Sequence, residues 1–140
     1  MAKLIYNRLQ CHHGPVNFDI QLRSGLTAVT GDSGTGKTFL YKTLEDCCMD
    51  YDTLLLNERY SSKQIELLIR HAENELIVID NADLVLPGTQ MNEQYIREDT
   101  KNQYLLFSRG GYAYGADGTT IGRFICNNNT VTIQYLRGRL

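Results

Sequence analysis

Val16, Phe18, Ile20 and Leu22 alternate with Asn17, Asp19 and Gln21, the period-two pattern of a half-buried strand. Residues 4–9 are its expected hairpin partner, with Gly14 and Pro15 in the turn region. Residues 26–30 form a short β-branched run that leads into a glycine-rich segment. Leu40, Leu44, Cys47 and Cys48 then recur at helical spacing, which predicts a helix within residues 39–49. Residues 53–56 are a compact apolar run that reads as a buried strand. Ser61 and Ser62 can cap a helix over residues 63–72, whose apolar face is Ile65, Leu68 and Ile69. Residues 75–80 carry the strongest strand pattern in the chain, and residues 104–107 are a fourth compact strand. Between these two, the polar stretch 91–102 is expected to hold a short helix. Residues 110–120, rich in Gly and Tyr, read as a loop. Residues 124–126 and 130–135 flank Asn127, Asn128 and Asn129 as a closing hairpin.

Strands alternate with helices through the middle of the chain, which predicts an α/β fold in three layers, with a parallel core sheet and antiparallel strands at the termini. Phosphate sites in such sheets lie at the carboxyl ends of the strands. The 140 residues suit one domain, residues 1–140, and contain no repeat or linker. Apolar residues are 42% and charged residues 21%, an ordinary globular balance. A net charge of -2 gives no general attraction to nucleic acid or anionic membrane. No apolar run is long enough to span a bilayer, and the first residues lack a signal-peptide pattern. The four cysteines show no paired zinc spacing and suit free thiols, so a cytoplasmic location is expected. Cys11, His12 and His13 are the one metal-like cluster; adjacent residues rarely converge on one ion, and a loop is expected there.

The chemistry concentrates at Gly31-Asp32-Ser33-Gly34-Thr35-Gly36-Lys37-Thr38, which fits the phosphate-loop pattern G-x-x-x-x-G-K-[ST] at every fixed position. Gly31, Gly34 and Gly36 allow the backbone to turn tightly and present its N–H groups to phosphate oxygens. The helix beginning near Lys37 adds its positive dipole end, so Phe39 is included among the binding positions. Lys37 can reach the outer phosphates, and the Thr38 hydroxyl can ligate Mg²⁺. Asp80, at the end of an apolar strand, can hold the same ion through its water shell.

These two motifs resemble those of P-loop NTPases, and the order of elements resembles the division with an additional strand. That resemblance implies a three-layer P-loop fold in which residues 104–107 enter between the phosphate-loop strand and the Asp80 strand, with Ser108 as a polar sensor. Within the division, residues 16–31 and 80–83 look like a minimal ABC-type ATPase core. The likeness spans most of the chain, but its specific motifs cover only residues 26–38 and 76–83. About 43 residues separate Lys37 from Asp80, too few for that family's helical subdomain, and no Leu-Ser-Gly-Gly-Gln signature is present. The family's catalytic glutamate is Asn81 here, and its switch histidine is absent; Ser108 and Arg109 occupy that region.

Several further residues qualify as candidates. Arg109 follows a strand end and can sense phosphate charge, or it is a solvated surface arginine. Glu58 follows the second compact strand and can activate water, or it is a charged turn residue. Tyr6 lies where the resembled family places an adenine-stacking aromatic, or it is ordinary strand packing. Tyr112 and Tyr114 can cover a base or a partner, or are plain loop aromatics. The resulting expectation is a slow Mg²⁺-dependent ATPase whose bound state controls a loop or a protein partner, that partner being able to supply a catalytic or sensing group. The alternatives are a module that binds ATP without hydrolysing it and a small kinase. ATP is favoured over GTP because no Asn-Lys-x-Asp motif is present.

Overall fold

The computed structural model describes residues 3–31, 36–47, 50–109 and 120–136. Its first hairpin is β1 (Arg8–His13) and β2 (Val16–Gln21), followed by β3 (Leu26–Val29) and α1 (Lys37–Cys47). Next come β4 (Thr53–Leu56), α2 (Ser62–His71), β5 (Leu76–Ile79) and α3 (Ala82–Val85), then a single 3₁₀ turn and α4 (Glu93–Glu98). The chain continues through β6 (Gln103–Phe107), β7 (Thr120–Asn127) and β8 (Thr130–Tyr135).

The expected three-layer α/β P-loop arrangement is not what the chain adopts. The eight strands form one mixed sheet, curled as a half-barrel and accompanied by four short helices. Their order is β1-β2-β8-β7-β3-β6-β5-β4. One reason is helix length. Only α1 and α2 reach eleven and ten residues; after β5 the chain breaks into a four-residue helix, a turn containing Pro87 and a six-residue helix. The other reason is that the terminal hairpins are not antiparallel additions at a rim. Phe18 of β2 pairs in parallel with Val131 of β8, and Ala28 of β3 pairs in parallel with Ile121 of β7, so the hairpins are half of the sheet itself.

The curl brings the two sheet edges together. Tyr51, just before edge strand β4, accepts a hydrogen bond on its hydroxyl from the backbone N of Gln10 in edge strand β1, at 2.8 Å. The Tyr6 and Tyr51 rings meet edge to face at 5.0 Å, and the Tyr6 hydroxyl accepts from the backbone N of Asp52 at 2.8 Å.

The central strands are apolar on both sides because both sides are covered. Ile77 and Ile79 of β5 join Ile65 and Ile69 of α2 in one core. Leu76 and Val78 join Leu40 and Leu44 of α1, together with Leu9, Phe18 and Ile20, in the other. Full burial of each such side chain contributes about 1.5–3 kcal/mol. Helix α2 starts where its cap predicts: Ser61 Oγ accepts from Gln64 N, and the Gln64 side chain accepts from Ser61 N, closing a capping box.

Candidate functional site

Strands β4, β5, β6 and β3 run parallel in adjacent registers, so their carboxyl ends share one edge. The residues just beyond those ends are Glu58, Asp80 with Asn81, Ser108 with Arg109, and Gly31. Helix α1 starts at the same edge with Lys37 and Thr38. This is where the chemistry-bearing residues of the sequence converge.

Gly31 and Gly36 both lie at positive φ, +137° and +107°. A Cβ on Gly36 would meet only ordinary contacts, the nearest at 3.7 Å, so the need for glycine there is conformational. Asp32, Ser33, Gly34 and Thr35 lie outside the described residues. Lys37 is buried, and its Nζ donates to the carbonyl of Ser108 at 3.1 Å and to that of Gly31. The Ser108 backbone also donates from N to Val29 O at 3.0 Å. One residue on, Thr38 Oγ1 donates to Asp80 Oδ2 at 3.3 Å, across 42 positions of sequence.

Asp80 is 8% exposed. Burial and the neighbouring Glu58 carboxylate raise its carboxyl above the usual aspartate range, while Thr38, the Asn81 amide and Lys37 act in the opposite direction. Asn81 sits in the left-handed region at φ 53°, which asparagine tolerates better than most residues. Its backbone N donates to Asp80 Oδ1 at 3.1 Å, and its Nδ2 donates to Glu58 Oε2 at 2.9 Å. That side-chain bond is the main reason the Glu58 carboxyl is held below its usual range.

The other candidates separate. Arg109 is exposed and makes no hydrogen bond or ion pair among the described residues. The Phe39 ring packs on His13 at 5.1 Å and Phe18 at 5.7 Å, towards the first hairpin. Tyr6 is fixed at the opposite edge of the sheet: besides its contacts with Tyr51 and Asp52, its backbone N donates to Gln103 Oε1 at 2.7 Å, at the start of β6. That placement removes it from any base pocket beside Gly31. Tyr112, Tyr114 and Gly110, Gly111 and Gly115 lie outside the described residues. Cys11, His12 and His13 belong to β1 and not to a loop. Among the described residues no group of three or more His, Cys, Asp and Glu side chains is placed to hold a metal.

Two residues of this edge went unnoticed in the sequence. Tyr41 follows Lys37 by four positions, one helical turn on and on the same face, which was the available signal. Asn57 precedes Glu58, and its Nδ2 donates to the Tyr41 hydroxyl at 3.2 Å.

No protein-family model matches the sequence, and no curated protein matches it. Among the described residues no helix is long and apolar enough to cross a membrane.

Proposed function

We propose that this protein binds the triphosphate of ATP with Mg²⁺ at the carboxyl edge of β3, β6, β5 and β4, and hydrolyses it slowly. The observation that carries the reading is that Thr38 bonds Asp80 while Lys37, the residue before it, bonds the carbonyls of Gly31 and Ser108: the ammonium, the hydroxyl and the carboxylate of the two sequence motifs lie at one strand edge. Thr38 and Asp80 are hard oxygen donors, the kind Mg²⁺ takes singly or in pairs beside substrate phosphates and water, so the residues present fit the ion. Once bound, the ion would supply charge neutralisation for the outer phosphate oxygens. Lys37 exchanges its backbone carbonyl partners for β- and γ-phosphate oxygens. Asp80 is ionised to accept the ion's hydration shell. Glu58, kept ionised by Asn81, accepts the proton of the water that attacks the γ-phosphorus; the new O–P bond forms as the bond to the bridging oxygen breaks, releasing ADP and phosphate. Glu58 is exposed and stands in a turn, and Asn81 spends its amide on Glu58, so slow turnover is expected. The bound state is then long-lived enough to act on a partner.

The test is binding. Lys37→Ala should weaken labelled ATP in Mg²⁺ by about 10²-fold, the worth of one or two charge-assisted hydrogen bonds. Lys37→Met keeps the packed stem and should lose a similar amount. Wild-type affinity in both variants would sink the reading. Firm binding with no phosphate release in wild type would leave a module that uses ATP only as a ligand.

A further inference from the structure

The carboxyl edge contains a closed ring of contacts among three elements. Thr38 of α1 bonds Asp80, which accepts from the backbone N of Asn81; the Asn81 side chain bonds Glu58. Glu58 is joined covalently to Asn57, and Asn57 bonds Tyr41, back on α1. Asn57 has no freedom in this arrangement. Its Oδ1 accepts from Arg59 N at 2.9 Å and its carbonyl from Tyr60 N at 3.2 Å, which fixes the turn of residues 57–60. With Oδ1 committed, Nδ2 is the group that faces Tyr41, so the phenol oxygen is the acceptor. Tyr41 is 4% exposed, and its hydroxyl proton has no acceptor among the described residues.

We propose that Tyr41 is a positioning residue for Glu58: its buried hydroxyl fastens the 57–60 turn to the helix that begins with Lys37 and Thr38, so the carboxylate keeps a fixed place beside Asn81 and Asp80. The proposal rests on the nucleotide reading for its catalytic consequence, but not for the contact itself. An exposed glutamate in a turn would otherwise sample several rotamers, and small misplacements of a catalytic group cost up to about 10²-fold in rate. An ion that drew Thr38 away from Asp80 would open the ring at that one bond. Tyr41 then remains the tie between the phosphate-binding helix and Glu58. The phenol does not titrate in this role, since burial and the carboxylates nearby push it far above its ordinary range.

The experiment uses the full chain as wild type, Tyr41→Phe, Glu58→Gln and the double variant. Labelled ATP affinity, steady-state phosphate release and the Glu58 carboxyl ¹³C titration without nucleotide are measured on each chain that retains the group. Tyr41→Phe should bind ATP within about twofold of wild type and release phosphate about tenfold more slowly with little change in KM. The double variant should be no slower than Glu58→Gln alone, and the Glu58 midpoint should move upward in Tyr41→Phe. Asn57→Ala removes the same bond from its other end together with the Oδ1 bond to Arg59 N, so it should slow phosphate release at least as much as Tyr41→Phe. Unchanged turnover in both single variants, or losses that multiply in the double variant, would overturn the proposal. Wild type that fails to bind ATP would instead overturn the nucleotide reading; the Glu58 midpoint then decides the contact by itself, and an unmoved midpoint overturns it.

Discussion

Asp80 and Glu58 are neighbouring carboxylates that depart from their ordinary behaviour in opposite directions. For Asp80, burial and the Glu58 charge raise the folded-state value, so the folded chain binds this proton more tightly than the unfolded chain. Stability from that source is fully present below the unfolded value and is lost as pH rises through the folded one. At neutral pH the ionised Asp80 therefore costs stability, which a cation would recover. Asp80→Asn should melt a few degrees higher than wild type at pH 7 without metal, with the gain shrinking below the carboxylate range, and should lose Mg²⁺-dependent ATP binding. Thermal scans at two pH values and a binding titration check this; equal melting at both would show that the carboxylate is not under strain. Glu58 runs the other way. The Asn81 side chain lowers it first, with Arg59 of its own turn helping and modest burial opposing; the other carboxylate facing it is Asp80. Its contribution is present above the unfolded value and fades as pH falls through the folded one. Asn81→Gly keeps the left-handed backbone and removes the amide, so the acid limb of the phosphate-release profile should move to higher pH. A limb that stays in place would detach Glu58 from the chemistry.

At the scale of elements, legibility followed burial. Strands β3, β5 and β6 were readable because every residue in them is buried and the sequence is correspondingly apolar. Helix α2 was readable from its cap. Strand β1 was readable as the hairpin partner of β2 but not in its bounds, expected at residues 4–9 and found at Arg8–His13: its sequence is Arg-Leu-Gln-Cys-His-His, only Leu9 is fully buried, and the apolar Leu4 that drew the partner upstream is 45% exposed. A polar edge strand carries no period, and its register is set instead by the turn at Gly14, φ +59°, and Pro15. The joint between α2, β5 and β6 was equally invisible, since it hangs on one polar side chain. Asn102 is fully buried; its Nδ2 donates to Ala72 O at 2.9 Å and Asp99 Oδ2 at 3.1 Å, and its Oδ1 accepts from Glu75 N at 3.1 Å. Asn102→Ala strands these groups and should cost about 2–4 kcal/mol in urea unfolding. A loss below about 0.5 kcal/mol would mean that the joint is held by the apolar contacts alone.

At the scale of the whole molecule, the two motifs do come together at one strand edge, but they did not foretell the sheet that carries them. The half-barrel depends on β2 meeting β8, residues 17–18 against 130–131, and no local pattern encodes so distant a pairing. Gly122 shows how tightly the added half is packed. A Cβ there would stand 2.8 Å from the Ile133 side chain and 3.1 Å from Gln134 O, and Gly122 O accepts from Thr30 N at 2.9 Å, one residue before Gly31. Gly122→Ala should therefore destabilise by about 1–3 kcal/mol and weaken ATP binding with it. Destabilisation without any change in affinity would separate the hairpin from the site. The strand order has a further consequence for how the protein is made. The two neighbours of β3 are β6 and β7, which come from residues 103–107 and 120–127. Translation delivers the glycine-rich motif before either of the strands that flank β3. A nascent chain thus exposes β3 as an apolar strand with two open sides until residues 103–127 have followed it, a form prone to pairing with the wrong partner. Nucleotide cannot rescue it in that interval, because the edge proposed to grip phosphate needs β6 and the Ser108 carbonyl that follows it.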